Sequence, residues 1–333
     1  MKKVLTSFLI AATLGFGTLQ SLPTQIWAGT PYSETEIRAN ETSDEYRIRE
    51  LRKEEINQLR IALGRRSPSN RRADLYLRLA EIYIEGYRAY YILEGRAHEK
   101  RLEKGQKDSS IDHSRSNPYL SAGIKACKDI LGLGIPYNKL DQVYYFLGFN
   151  HSELGDRKQG LKYFDMLTRK YPGSPYVTDA FKEMGDAAYD DREFRKAQAY
   201  YEQAIRRGNA ETLPRIYHKL AWSYYRTKQF ERAVSSMKQA ISTAQQSGEK
   251  YLSLREEALR DMAIFMTETG RTEEALSYFQ SVVDDKTFYP KILERLGRQY
   301  ERNVEPLKAT QVYESLLLTH ADSEAGFRVL VKL

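Results

Sequence analysis

The sequence predicts an all-α protein built as an array of antiparallel helix pairs, and three observations predict it. A pattern of large and small residues recurs five times at near-constant spacing along the second half of the chain. Turn formers are scarce for a β-fold, with 10 prolines and 20 glycines in 333 residues. The third is an excess of tyrosine, 25 residues, within a composition that is 41% hydrophobic and 29% charged. Such a chain suits amphipathic helices that pack through aromatic contacts.

The chain opens on an address. Lys2 and Lys3 precede an apolar stretch from Val4 to Leu22, interrupted by Gly15 and Gly17, and Ala28 offers a cleavage position. This is the pattern of a secretory signal peptide over 1–28; an uncleaved anchor is the alternative, since the stretch approaches spanning length. No cysteine follows it to carry a lipid. Removing these 28 residues and their two lysines from a chain of net charge +7 leaves 305 residues at +5. So small an excess does not point to nucleic acid, and export argues further against it. The next segment, 29–43, reads as a disordered linker.

Residues 44–63 predict a charged helix with a thin apolar stripe of Ile48, Leu51, Ile56, Leu59 and Leu63, an N-terminal cap. A long helix is expected from Ala73 to about Lys104, then a polar linker over 105–117, then a helix over 118–131 with Pro118 at its first turn. Together 44–140 reads as an N-terminal helical region holding one degenerate, expanded repeat unit. Arg65, Arg66, Arg71 and Arg72 cluster in the intervening loop, where a phosphate- or lipid-binding patch competes with plain solvated charge.

Five units follow over 141–323, beginning near 141, 178, 214, 256 and 290. Their anchors are Leu147-Gly148, Met184-Gly185, Leu220-Ala221, Met262-Ala263 and Leu296-Gly297. Thirteen residues after the first of each pair stands Gly160, Ala197, Ala233, Ala275 or Ala309. Four residues later stands Phe164, Tyr201, Met237, Phe279 or Tyr313, and three before each pair Tyr144, Phe181, Tyr217, Leu259 or Leu293. The large residues share one helix face, and the small ones let two helices approach closely. Residues 324–333 read as the start of a further or incomplete helix, with Phe327, Val329, Leu330, Val331 and Leu333 unfinished as a polar cap.

On these residues the chain resembles tetratricopeptide-repeat (TPR) proteins. The resemblance implies an α-solenoid wound as a right-handed superhelix. The joint Tyr171-Pro-Gly-Ser-Pro-Tyr-Val-Thr-Asp-Ala180 looks like that of bacterial envelope TPR proteins. The run Leu254-Arg-Glu-Glu-Ala-Leu-Arg-Asp261, after Leu220-Ala-Trp-Ser-Tyr-Tyr225, is similar to periplasmic TPR proteins associated with adventurous gliding motility. In TPR proteins the first helices line a concave groove. Carried onto this register, the resemblance implies a partner-binding groove containing Tyr145, Phe149, Lys182, Asp186, Tyr189, Arg215, His218, Trp222, Tyr225 and Arg226. Clustered aromatics flanked by charges suit a peptide hot spot; the alternative is that they pack on neighbouring units or a returning N-terminal helix.

Chemistry beyond binding has no signature. The five histidines are scattered, without metal-ligand spacing on one helix turn, and the lone Cys127 excludes a disulfide framework and a cysteine-based zinc site. No nucleophile–base arrangement is visible, and Gly132-Leu-Gly134 lacks the third glycine of a dinucleotide loop. No enzyme, cofactor, metal or small-molecule substrate is expected. The reading is a periplasmic, non-enzymatic scaffold holding a protein or peptide partner in its groove, in contact with membrane only indirectly. The alternatives are a gliding-motility or envelope-transport subunit assembling through its convex face or ends, and, more remotely, an accessory to an envelope enzyme.

Overall fold

The computed structural model describes residues 31–106, 110–208 and 211–331. The leader 1–28 lies outside the described residues. Every regular element among them is helical, and none is long and apolar enough to cross a membrane. The chain divides into two compact units at Ala180/Phe181, and each is described by itself.

In the first unit α1 (Glu34–Ala39), α2 (Ser43–Gly64), α3 (Ser69–Glu103), α4 (Asn117–Gly132), α5 (Leu140–Glu153) and α6 (Arg157–Lys170) follow one another. The linker expected over 29–43 is not disordered where it is described. Ser33 and Thr42 each close a reciprocal capping box, with Glu36 and Glu45, at the starts of α1 and α2. Tyr32 and Ile37 are buried against Tyr90, Leu93 and Ala97 of α3. Composition alone missed this because the order comes from long-range contacts rather than local hydrophobicity.

The stripe on α2 is also only half used. Ile56 is buried, whereas Ile48 and Leu51 are 52% and 62% exposed. The N-terminal half is instead held by Arg49, a buried guanidinium. It donates to both Glu41 oxygens at 2.8 and 3.0 Å, to Glu34 at 2.8 Å and to the Tyr90 hydroxyl at 3.1 Å. Arg101 adds a second clamp, donating to both Glu36 oxygens at 2.8 and 3.0 Å with its guanidinium 4.2 Å over the Tyr32 ring. That pairing, with the Ser33 backbone N–H, draws the Glu36 carboxyl down to about 2.

The 35-residue α3 packs along α4. At the start of α4 the wholly buried Glu94 takes the place of a cap. It accepts from Arg115 N–H at 2.9 Å, Ser116 N–H at 3.0 Å and Ser116 Oγ at 2.7 Å, and its other contact is His113 Nδ1 at 3.1 Å. Cys127 is buried in the core of this unit, and desolvation pushes its thiol well above the ordinary range.

The second unit contains most of α7 (Val177–Asp190), then α8 (Phe194–Ile205), α9 (Leu213–Arg226), α10 (Phe230–Gln246), α11 (Leu252–Thr269), α12 (Thr272–Val282), α13 (Tyr289–Arg302), α14 (Pro306–His320) and α15 (Glu324–Leu330). Across both units the repeat positions behave as packing positions. All are buried except Phe181 and Tyr217, which are half-buried. The small anchor residues are needed because of what faces them. A Cβ on Gly185 would meet the Tyr201 ring at 2.6 Å, one on Gly148 the Phe164 ring at 2.5 Å, and one on Gly297 the Tyr313 ring at 2.2 Å.

One turn geometry joins the two helices of every repeat. The residue eight places after each anchor is left-handed: Gly155, Arg192, Lys228, Gly270 and Val304, with φ from 58° to 83°. In four of them the next N–H reaches five residues back, as in Glu193 N to Ala188 O at 2.8 Å and Glu305 N to Tyr300 O at 2.9 Å. This is the Schellman closure of a helix end. The last helix, α15, buries Val329 and leaves Phe327 and Leu330 exposed, and Arg328 ties it to Glu294 of α13 at 2.6 and 2.9 Å.

Candidate partner-binding face

Eight of the ten groove residues fall on the first helices of the second unit, and Tyr145 and Phe149 fall on α5 of the first. Within the second unit α9 packs on α11 and α11 on α13, so first-helix side chains lie on a common face.

On α7, Lys182 and Asp186 are four residues apart and pair at 3.2 Å. Asp186 is the centre of a larger group. Lys219 of α9 lies 2.6 Å from its Oδ2, and the Tyr201 hydroxyl donates to its Oδ1 at 2.6 Å. Burial alone would raise this carboxyl, but Lys182 and Lys219 hold it below the usual carboxylate range. Glu183, 2.6 Å from Lys182, completes the pairing. Tyr189 packs edge-on against Phe194, centroids 5.2 Å apart, and burial raises its hydroxyl. The exposed Arg226 places its guanidinium 5.2 Å over the same Phe194 ring.

On α9 the aromatic residues face α11. Trp222 meets Phe265 edge to face at 4.9 Å, and its indole N–H donates to Asp261 Oδ2 at 2.9 Å. Tyr225 stacks on the other side of Phe265 at 4.7 Å with planes 9° apart. Its hydroxyl donates to Glu268 Oε1 at 3.1 Å, and burial with that carboxylate pushes it up to about 12. His218 Nε2 lies 2.9 Å from the same Asp261 Oδ2. Arg215 is exposed, 5.9 Å over the Tyr251 ring. In the first unit Tyr145 stacks on Tyr176 at 4.9 Å. Phe149 lies edge-on to Tyr87 of α3 at 6.2 Å, with Arg88 at 5.9 Å.

These contacts show that the aromatic set does carry packing duty, the alternative that the sequence left open. Tyr145, Phe149, Tyr189, Trp222 and Tyr225 are all half-buried. A side chain on the inner face of one first helix also abuts the next first helix, and there Phe265 and Asp261 receive it. Tyr87, on the long N-terminal helix, does the same for Phe149. None of these rings is fully buried, and the exposed cations Arg215 and Arg226 stand at the two ends of α9. Lys219, Tyr201, Glu257, Asp261 and Phe265 were missed as members of the site. Glu257 and Asp261, four apart on one helix, are the pair that sequence could have flagged.

Two stretches match tetratricopeptide-repeat family models, residues 142–174 and 182–249. They coincide with α5–α6 and with α7–α10. No curated protein sequence matches the chain significantly. Among solved structures the chain is similar to YrrB, described as a TPR protein with an unusual peptide-binding site. The identity is 15% and the TM-score 0.43, over 63% of this chain and all of that one. It is also similar to the C-terminal part of a TPR-containing protein from Cytophaga hutchinsonii, at 15% identity and TM-score 0.43, over 83% of this chain and 99% of that one. A third is MamA, at 13% identity and TM-score 0.40, over 54% of this chain and 91% of that one.

Proposed function

We propose that the protein is an exported, non-enzymatic scaffold that holds an extended partner segment on the first-helix face of its second unit. TPR arrays serve as protein-interaction surfaces, and the repeats are the ground for the general reading. The specific face rests on one observation. Along α9 the half-buried rings of Trp222 and Tyr225 lie between two exposed arginines, Arg215 and Arg226. Rigid rings offer contact area at small entropic cost, and the cations set polarity and register for a segment carrying acidic side chains.

Charge reversal tests this without disturbing the core. Affinity capture from envelope extract should recover a partner with the wild type and lose it with Arg215→Glu/Arg226→Glu, while the melting temperature stays unchanged. Capture that is indifferent to both reversals would refute this face. Export is read from Lys2, Lys3 and the apolar stretch after them, and cell-envelope assembly from the resemblance of the repeat joints. N-terminal sequencing of the protein from a periplasmic fraction should begin at Gly29.

A second reading has its own support. Leu307 and Leu318 of α14, with Phe327 of α15, are 87%, 86% and 64% exposed. Exposed apolar residues of this kind suit assembly through these helices within an envelope or gliding-motility complex. Leu318→Glu should then abolish assembly that the α9 reversals leave intact.

A further inference from the structure

The charged end of the α9–α11 seam has chemistry that peptide binding does not require. His218 comes from α9, and Glu257 and Asp261 from successive turns of α11. One ligand atom from each lies within 4.8 Å of the others, and all three side chains are half-buried. His218 Nε2 and Asp261 Oδ2 are already 2.9 Å apart. Glu257 makes no side-chain hydrogen bond or ion pair among the described residues, although it is partly withdrawn from water. A carboxylate in that position lacks compensation.

We propose that His218, Glu257 and Asp261 bind a divalent first-row transition ion of the zinc class. One imidazole nitrogen and two carboxylates are a ligand set such ions accept. Bonds of about 2.0–2.2 Å with a fourth, solvent-filled position complete a tetrahedral site. Rotation of the unpartnered Glu257 side chain closes the remaining separation. The ion neutralises the paired carboxylates of Glu257 and Asp261. Trp222 serves the site from outside: its indole N–H fixes the Asp261 carboxylate, as outer partners do for metal ligands. On α11, Arg260 is turned to Glu256 at 3.0 Å.

The test is calorimetric titration of the untagged full chain with zinc chloride. One ion per chain is expected, with at least tenfold weaker binding in Glu257→Gln and in His218→Ala. Glu257→Gln removes no contact, so its fold should persist even if the histidine variant loosens the seam. In a Trp27→Phe background, copper(II) should quench Trp222 fluorescence saturably, and a large excess of zinc should compete with it. Absence of saturable binding, or wild-type affinity in either variant, overturns the proposal. Neither result bears on partner capture through Arg215 and Arg226.

Discussion

A single ring, Phe265, decides what Trp222 and Tyr225 do. It is wholly buried and touches both, one edge to face and one stacked. The heptad-like offsets of the repeat place Trp222 and Tyr225 on the inner face, and that much was legible in sequence. Their burial was not, because Phe265 lies 40 or more positions further on, and the offset between repeats there is set by the longer helices α10 and α11, of 17 and 18 residues. Trp222→Ala should therefore destabilise the second unit by about 3 kcal/mol, the lower end for loss of a core ring, since the indole is only half-buried. Thermal unfolding checks this, and an unchanged melting point would return Trp222 to the solvent. Its emission should lie to the blue of free indole and be only partly open to a collisional quencher.

At the scale of the element, the left-handed turn is the clearest device. At Gly155 and Gly270 the residue type fits the turn, because glycine adopts positive φ without penalty. Arg192, Lys228 and Val304 occupy the equivalent place with nothing in their residue type to betray it. Left-handed backbone costs an L-residue about 1–2 kcal/mol, and a β-branched side chain is the least suited. Val304 is 84% exposed, so it returns nothing through packing. Val304→Gly should raise the melting temperature of the second unit by about 2–4 °C, after the roughly 0.5–1 kcal/mol entropic cost of glycine is taken off. The reverse case is Gly185, whose Cβ position is already filled by the Tyr201 ring. Gly185→Leu overpacks the α7–α8 pair and should cost at least 1–3 kcal/mol. An unchanged melting point there would contradict the pairing of these two helices.

Across the whole molecule, the helix-pair region was legible because its signal repeats. The N-terminal segment was not, because its order depends on ion pairs made by the buried guanidiniums of Arg49 and Arg101 with residues 8 to 65 positions away. Those pairs carry a pH dependence of definite sign. Glu36 falls from 4.5 to about 2 on folding, first through the Arg101 hydrogen bond and then through the Ser33 backbone N–H. A carboxyl with a depressed folded pKa contributes stability that is present above its unfolded value and lost as pH falls through the folded one. The difference in melting temperature between wild type and Glu36→Gln should thus be constant above about pH 5 and shrink toward zero near pH 2. A difference undiminished at pH 2 would assign the stabilisation to packing instead.

The burial of Cys127 has one more consequence. The chain's one thiol sits in the core of the first unit, and Trp222 sits in the second. Each unit therefore carries its own intrinsic reporter, one chemical and one optical. Thiol labelling rates register opening of the first unit alone, and indole emission registers the second. Followed together through a denaturant series, with Trp27 removed, they would tell whether the two units unfold in a single event or in turn, with no reporter residue introduced.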